Sequence, residues 1–253
     1  MKKVLAVALC LLMIGAICCV AGCGKKADDN VLTMGTNVAF PPYEYYEGGK
    51  PVGIDVEIAE KLAEKLGMTL KVEDIAFNAI VDGVKSGKYD IGMAGMTVRP
   101  DRLENVNFSN TYAKGVQVVI VKKDSAITSV DDLGAEGATY KIGVQTATTG
   151  DAYAQDDFGS DRVTGYNAGA DAVEALKTGK VDCVIIDNEP AKAFVRANEG
   201  LKILETAYAD EDYAIAVAKE NTELLEKINK ALKELTDDGT IAQIVAKYIP
   251  AEG

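Results

Sequence analysis

Residues 81–91 and 173–183 read as one segment written twice. Val81-Asp82-Gly83-Val84-Lys85-Ser86-Gly87-Lys88-Tyr89-Asp90-Ile91 aligns with Val173-Glu174-Ala175-Leu176-Lys177-Thr178-Gly179-Lys180-Val181-Asp182-Cys183, with five identities in eleven positions. Each copy spells a short amphipathic helix, a glycine stop and the start of a strand. That grammar is common in α/β proteins and could recur by chance. Here the strand that follows each copy ends in residues suited to a small polar ligand, Gly95-Met96-Thr97 in one case and Asp187 in the other. The spacing therefore predicts two similar lobes facing one another.

Ahead of the lobes, Lys2 and Lys3 precede seventeen uncharged residues from Val4 to Val20, then Ala21-Gly22-Cys23 and a polar stretch to Asn30. This is the pattern of an export signal. The apolar run is long for a cleaved signal core and short for a spanning helix. Val20-Ala21-Gly22-Cys23 resembles the bacterial lipobox, which implies cleavage before Cys23 and a lipid on its thiol. A retained helix with a chance cysteine is the competing reading. Either one holds the rest of the chain at a membrane's outer face through a flexible leash. Residues 1–22 read as signal peptide and 23–29 as lipidated tether.

Cysteine usage agrees with that layout. Cys10, Cys18 and Cys19 fall in the signal and Cys23 at the lipobox, leaving Cys183 alone in an apolar strand, so the mature domain forms no internal disulfide. About 220 residues are enough to bury a core without one. The full chain carries 27 basic and 39 acidic residues, a net −12. Losing Lys2 and Lys3 takes two cations from that −12 and leaves about −14. Nucleic acid is thereby a poor partner. The absence of any histidine removes Ser-His-Asp triads and imidazole zinc sites. No P-loop, GxSxG or strand-borne GxGxxG is present, so no cofactor or metal is expected and the remaining chemistry is binding.

Strand candidates at Val31–Gly35, Leu70–Val72, Ile91–Gly95, Val116–Val121, Lys141–Val144, Cys183–Ile186 and Tyr213–Ala218 alternate with helices, an α/β pattern. A helix from Val56 to Leu66 is predicted with Asp55 as its N-cap and Glu57 paired to Lys61. Val116–Lys122 and Tyr213–Ala218 read as crossings between lobes. Lobe 1 then comprises residues 30–114 and 210–253, and lobe 2 residues 115–209, a clamp with two hinge strands.

Three loops carry the candidate site. Gly95-Met96-Thr97 follows a buried strand, and Arg102 beyond it has the planar fork that grips a carboxylate. Gln145 to Asp151 leads into a helix, where Thr148 and Thr149 serve equally as caps or as an anion site. Asp187 closes the second lobe's buried strand and could pair with an ammonium or cap the following helix. An acid and a guanidinium facing one another suit a zwitterion, and a free amino acid satisfies that description. Asn37, Phe40, Phe77 and Gln145 supply two aromatics and two amides for its side chain.

The mature chain resembles the extracellular solute-binding proteins of amino-acid ABC importers, family three, polar amino-acid branch. The matching pieces are Gly35-Thr36-Asn37-Val38-Ala39-Phe40-Pro41-Pro42-Tyr43-Glu44, Gly53-Ile54-Asp55-Val56-Glu57, Gly95-Met96-Thr97 with Arg102, Asn107-Phe108-Ser109 before Tyr112, Thr148-Thr149-Gly150, and Asp187. The resemblance implies a type II periplasmic-binding-protein clamp that works as a monomer, free of cofactors and without catalysis. It implies that Arg102 and Thr149 hold the α-carboxylate, that Gly95, Thr97 and Asp187 hold the ammonium, and that a membrane permease receives the cargo. Basic-ligand members often carry an acid where this chain has Asn37, which favours glutamine or cystine over arginine or histidine. Many relatives have Gly where this chain has Ala147. A rival reading is an enzyme resembling cyclohexadienyl dehydratase, with Glu44 or Glu189 as the reactive acid.

Overall fold

A computed structural model describes residues 30–249. The expectations for the signal segment and Cys23 lie outside those residues. Lobe 1 begins with β1 (Val31–Thr36), a hairpin of β2 (Tyr45–Glu47) and β3 (Lys50–Val52), α1 (Ile54–Leu66) and β4 (Thr69–Asp74). It continues through α2 (Ile80–Lys85), β5 (Ile91–Gly92), α3 (Pro100–Leu103) and β6 (Val106–Phe108). The first crossing, β7 (Ala113–Lys122), leads into lobe 2, with α4 (Asp131–Gly134), β8 (Ile142–Gln145), α5 (Thr149–Phe158), β9 (Val163–Tyr166), α6 (Gly169–Lys177), β10 (Cys183–Asp187), α7 (Asn188–Ala197) and β11 (Leu201–Ile203), and β12 (Ala209–Tyr213) is the second crossing. The chain then returns to lobe 1 as β13 (Ala216–Ala218), α8 (Thr222–Asp237) and α9 (Thr240–Tyr248).

Each lobe is built on one mixed sheet. Lobe 1 orders its five strands β4-β1-β5-β13-β6, so the returning strand sits inside the sheet and the lobe needs both parts of the chain. Lobe 2 orders β11-β7-β10-β8-β9, with β12 also on β7. The central strands run apolar on both faces, as β10 shows with five buried residues in a row. Cys183 is free and buried there, its thiol pushed up to about 12 by burial.

The two crossing segments pair with each other. Ala209–Tyr213 runs antiparallel to Ala113–Gln117, and the crossing predicted as one strand from Tyr213 to Ala218 is broken at Ala214-Ile215 before β13 joins the first sheet. Alternation explains what β12 buries. Glu211 and Tyr213 point inward while Asp210 and Asp212 face water, the period-2 pattern of a strand rather than an acidic turn.

The first helix corrects two sequence expectations. It starts at Ile54 after Gly53, and Asp55 makes no cap bond. Asp55 is instead fully buried, and its Oδ2 accepts from the Gly95 N–H at 2.8 Å and the Tyr112 hydroxyl at 2.8 Å. Glu57 does not pair with Lys61, which bonds Glu64 at 2.9 Å. Glu57 meets Lys247 and Tyr248 of the last helix, tying the chain's return to the lobe it completes. Ile58 and Leu62 on the inner face of α1 share a core with Ile228, Leu232 and Ile241 of α8 and α9.

Candidate functional site

The loop after β5 is shaped by backbone before side chains enter. Gly95 has φ +52°, and a Cβ there would stand 2.9 Å from the Phe40 ring, so a larger residue would lose either the turn or the packing. The turn carries Thr97 to the cleft and sends the chain into α3, where Arg102 is buried. Its Nη1 donates to the Thr97 carbonyl at 2.8 Å, and its Nη2 crosses to the Ala147 carbonyl of lobe 2 at 3.0 Å. The guanidinium also lies 5.3 Å from the Phe77 ring centroid, a cation–π contact. Burial and the neighbouring Arg99 push Arg102 down to about 10, so it stays charged at neutral pH.

Lobe 2 answers with the start of α5 and the end of β10. Thr148 is the N-cap, accepting from the Asp151 N–H at 3.2 Å, and Thr149 is buried as the first helical residue. Ala147 has φ +65°, the one non-glycine positive value among the described residues, at the position where the family resemblance expects Gly. Gln145 donates from Nε2 to Asn37 Oδ1 at 2.9 Å, and Asn37 donates to the Ile75 carbonyl at 2.9 Å, so the two amides also join the lobes. Asp187 precedes α7 without making a cap bond. Its carboxylate takes the Gln117 amide at 2.7 Å and the Tyr213 hydroxyl.

Ten of the expected residues line one narrow cleft between the lobes, with about 20 Å³ of free space. Asn37, Phe40, Phe77, Gly95, Thr97 and Arg102 come from lobe 1, and Gln145, Thr148, Thr149 and Asp187 from lobe 2. Met96 is the exception. Its side chain is fully buried with Ile80, Val84 and Tyr89 in a core of lobe 1, because alternate residues of an extended chain point opposite ways. Its carbonyl accepts from the Ala214 N–H at 3.0 Å, which fastens the loop to the hinge. Phe77 lines the cavity while its ring also bears on Arg102, so part of the face expected to flank a ligand supports the cation instead.

Glu44 and Glu211 also line the cavity, giving three acids against the single cation Arg102. Glu44 has no accessible surface, and no N–H or hydroxyl donor among the described residues reaches its carboxylate, which lies against that of Asp55. Burial, then the Asp55 carboxylate, raises it well above the ordinary range. Asp187 is raised by burial and by Glu211, whose Oε2 shares the Gln117 amide at 2.9 Å. Asp55 is pushed up to about 6 by burial, offset in part by its bonds from Gly95 and Tyr112. The sequence marks Glu44 as the end of a family-like segment and as the acid of the enzyme reading, and Asp55 as a cap; Glu211 carries no expectation there. For Glu211, the signal was its period-2 match with Tyr213. For Glu44 there was none. Glu189, the other acid of the enzyme reading, pairs with Lys192 at 3.0 Å and does not line the cavity.

Comparison with known proteins bears on the family and the fold. The chain is 33% identical over 263 residues, covering 100% of both chains, to the arginine-binding extracellular protein ArtP of Bacillus subtilis (strain 168). Among solved structures it is similar to an ancestral arginine-binding protein bound to glutamine, with TM-score 0.82 and 37% identity over 88% of this chain and 99% of that one. It is also similar to AncCDT-1, an ancestral amino acid-binding protein and precursor of cyclohexadienyl dehydratase, with TM-score 0.79 and 28% identity over 87% and 95%. With residues 32–251 matched by the model of that family, and with two lobes meeting over one cleft, the chain belongs to the bacterial extracellular solute-binding proteins, family 3.

Proposed function

We propose that the protein binds a free amino acid between its lobes at the outer face of the membrane and delivers it to an ABC-type permease. The observation that carries this reading is the meeting of Arg102 from lobe 1 and Asp187 from lobe 2 on one small cavity. A guanidinium fork and the start of α5 suit an α-carboxylate, and Asp187 suits the ammonium beside it. Contacts to both lobes exist only when the clamp is shut, so a zwitterion that touches both shifts the equilibrium toward closure. Residues 30–114 with 210–253 are proposed as one rigid lobe and 115–209 as the other. A lipid on Cys23 is the proposed tether.

Arginine is the preferred ligand. Asp187 and Arg102 balance a zwitterion, and that leaves Glu44 and Glu211 as uncompensated acids on the cavity wall. A second positive charge on the guest offsets their desolvation, whereas a neutral side chain brings these buried acids no counter-charge. The similarity to an arginine-binding protein points the same way. Glutamine is the second reading, favoured by the amides Asn37 and Gln145 and by the glutamine-bound relative. Titration calorimetry against arginine, lysine, histidine, glutamine and cystine tests both. Arginine should bind most tightly, and binding of none of the five overturns the transport reading. The fold also serves a dehydratase lineage, so prephenate and arogenate are the substrates to assay. The expected result is no turnover.

A further inference from the structure

Three residues before Arg102 stands a second guanidinium that ligand recognition does not use. Arg99 precedes α3 with extended backbone, φ −127° and ψ 150°. Its Nε and Nη2 donate to the two oxygens of Asp101 at 2.9 and 2.8 Å, a pair of parallel bonds that fixes the plane of the fork. The remaining arm, Nη1, crosses to lobe 2 and donates to the Thr148 carbonyl at 2.7 Å. The carbonyl just before it, of Ala147, takes Arg102. Two guanidinium groups, one just before α3 and one within it, therefore hold two successive carbonyls on one loop of lobe 2.

The receiving loop is pinned within its own lobe. The Ala147 N–H donates to Asp151 Oδ2 at 2.8 Å, and the Thr148 hydroxyl donates to the Gln145 carbonyl at 2.8 Å. Arg99 does not line the ligand cavity. It borders a separate crevice with Phe77, Asn78, Asn105 and Ala147. Its side chain is only 16% exposed against 62% for Asp101, so the arm that crosses is the sheltered one. A charge-assisted bond in that setting outweighs an open surface ion pair.

We propose that Arg99 is a closure latch, a positioning residue that holds the Gln145–Thr149 loop of lobe 2 against lobe 1 and sets how long the clamp stays shut, whichever amino acid is inside. Asp101 aims the fork but stays within lobe 1. Because the crossing bond exists only with the lobes together, it stabilises the closed state alone, and ligand affinity follows the closed population.

The inference rests on the clamp reading, and the test separates the two. Stopped-flow kinetics and calorimetry on the full chain would compare the wild type with Arg99→Ala, Arg99→Lys and Asp101→Asn. Arg99→Ala should speed dissociation and weaken affinity by about tenfold, equally for arginine and glutamine, with association unchanged. Lysine at position 99 should recover part of the loss, and Asp101→Asn should lose less than the alanine variant. An unchanged dissociation rate overturns the latch, and so does a loss confined to one amino acid. If the wild type bound no amino acid, the function reading would fail. The latch would then be read from energy transfer between dyes at Lys61→Cys and Lys177→Cys. In the ligand-free protein, Arg99→Ala should shift that signal toward an open form, and no shift overturns the proposal.

Discussion

Gly87 and Gly179 close their helices with the same bonds. In lobe 1 the Gly87 N–H reaches the Val84 carbonyl at 3.0 Å and the Lys88 N–H reaches Gly83 at 2.9 Å. In lobe 2 Gly179 reaches Leu176 at 3.1 Å and Lys180 reaches Ala175 at 2.9 Å. Both glycines are left-handed, φ +71° and +75°. Beyond the cap the copies part. β5 pairs for two residues between β1 and β13, after which the chain leaves the sheet and the Gly95 N–H turns to Asp55. β10 runs five residues between β7 and β8 and delivers Asp187 at its end. One local grammar thus leads to the Gly95–Thr97 turn and Arg102 in one lobe and to an acid in the other. The strand's neighbours decide which.

The largest effect that would break the comparison lies at its functional ends. Arg102→Ala removes the cation of lobe 1 and strands the Thr97 and Ala147 carbonyls. Calorimetry should show a loss of about 3–5 kcal/mol in amino-acid binding. Unchanged affinity would mean that lobe 1 does not supply the anion site.

Next comes pH. Asp55, raised to about 6, holds its proton more tightly folded than unfolded, so its contribution to stability is full below about pH 4 and is lost as pH rises through 6. Between pH 4 and 7 the ligand-free wild type should lose roughly 3 kcal/mol relative to Asp55→Asn, followed by urea unfolding at each pH. Asp187→Asn should flatten the profile in the same direction from lobe 2, because Asp187 is raised as well. Saturating arginine should oppose the loss in the wild type by stabilising the ionised acids.

Packing under the two helices differs at an aligned pair of positions. A Cβ on Gly83 would lie 2.4 Å from the Tyr89 ring, whereas lobe 2 carries Ala175 and Val181 at the matching places. Gly83→Ala should cost about 1–3 kcal/mol through overpacking, while Ala175→Gly should cost only about 1 kcal/mol from helix propensity. Thermal unfolding of the two variants reads the difference. The smallest effect tests the likeness itself. Gly87→Ala and Gly179→Ala each force an L-residue into the left-handed region and should cost a similar 1–2 kcal/mol or so. Clearly unequal costs would show that the shared sequence does not carry a shared cap.

Much of this architecture was legible in the chain. The α/β alternation, both caps and the three site loops follow from local rules, namely the left-handed freedom of Gly and the periods of 2 and 3.6. Arg102, Asp187, Gln145 and Thr149 stood out because each follows a buried strand or opens a helix. Met96 was misplaced by one step of alternation. Asp55 carried a composition signal for a cap, but its side chain turned inward to Gly95, forty residues on.

By itself, then, the sequence determined two lobes of helix, glycine and strand, each ending in a polar group, since those features depend on residues within a few positions of one another. Only the tertiary structure decided that Glu44, Asp187 and Glu211 share one cavity and that Arg99 reaches the Thr148 carbonyl. These groups come from segments far apart in the chain, and their energies arise from burial and from which strands lie side by side. No local pattern encodes the loss of water around Glu44. The sheet order that brings β12 beside β7 imposes it on Glu211.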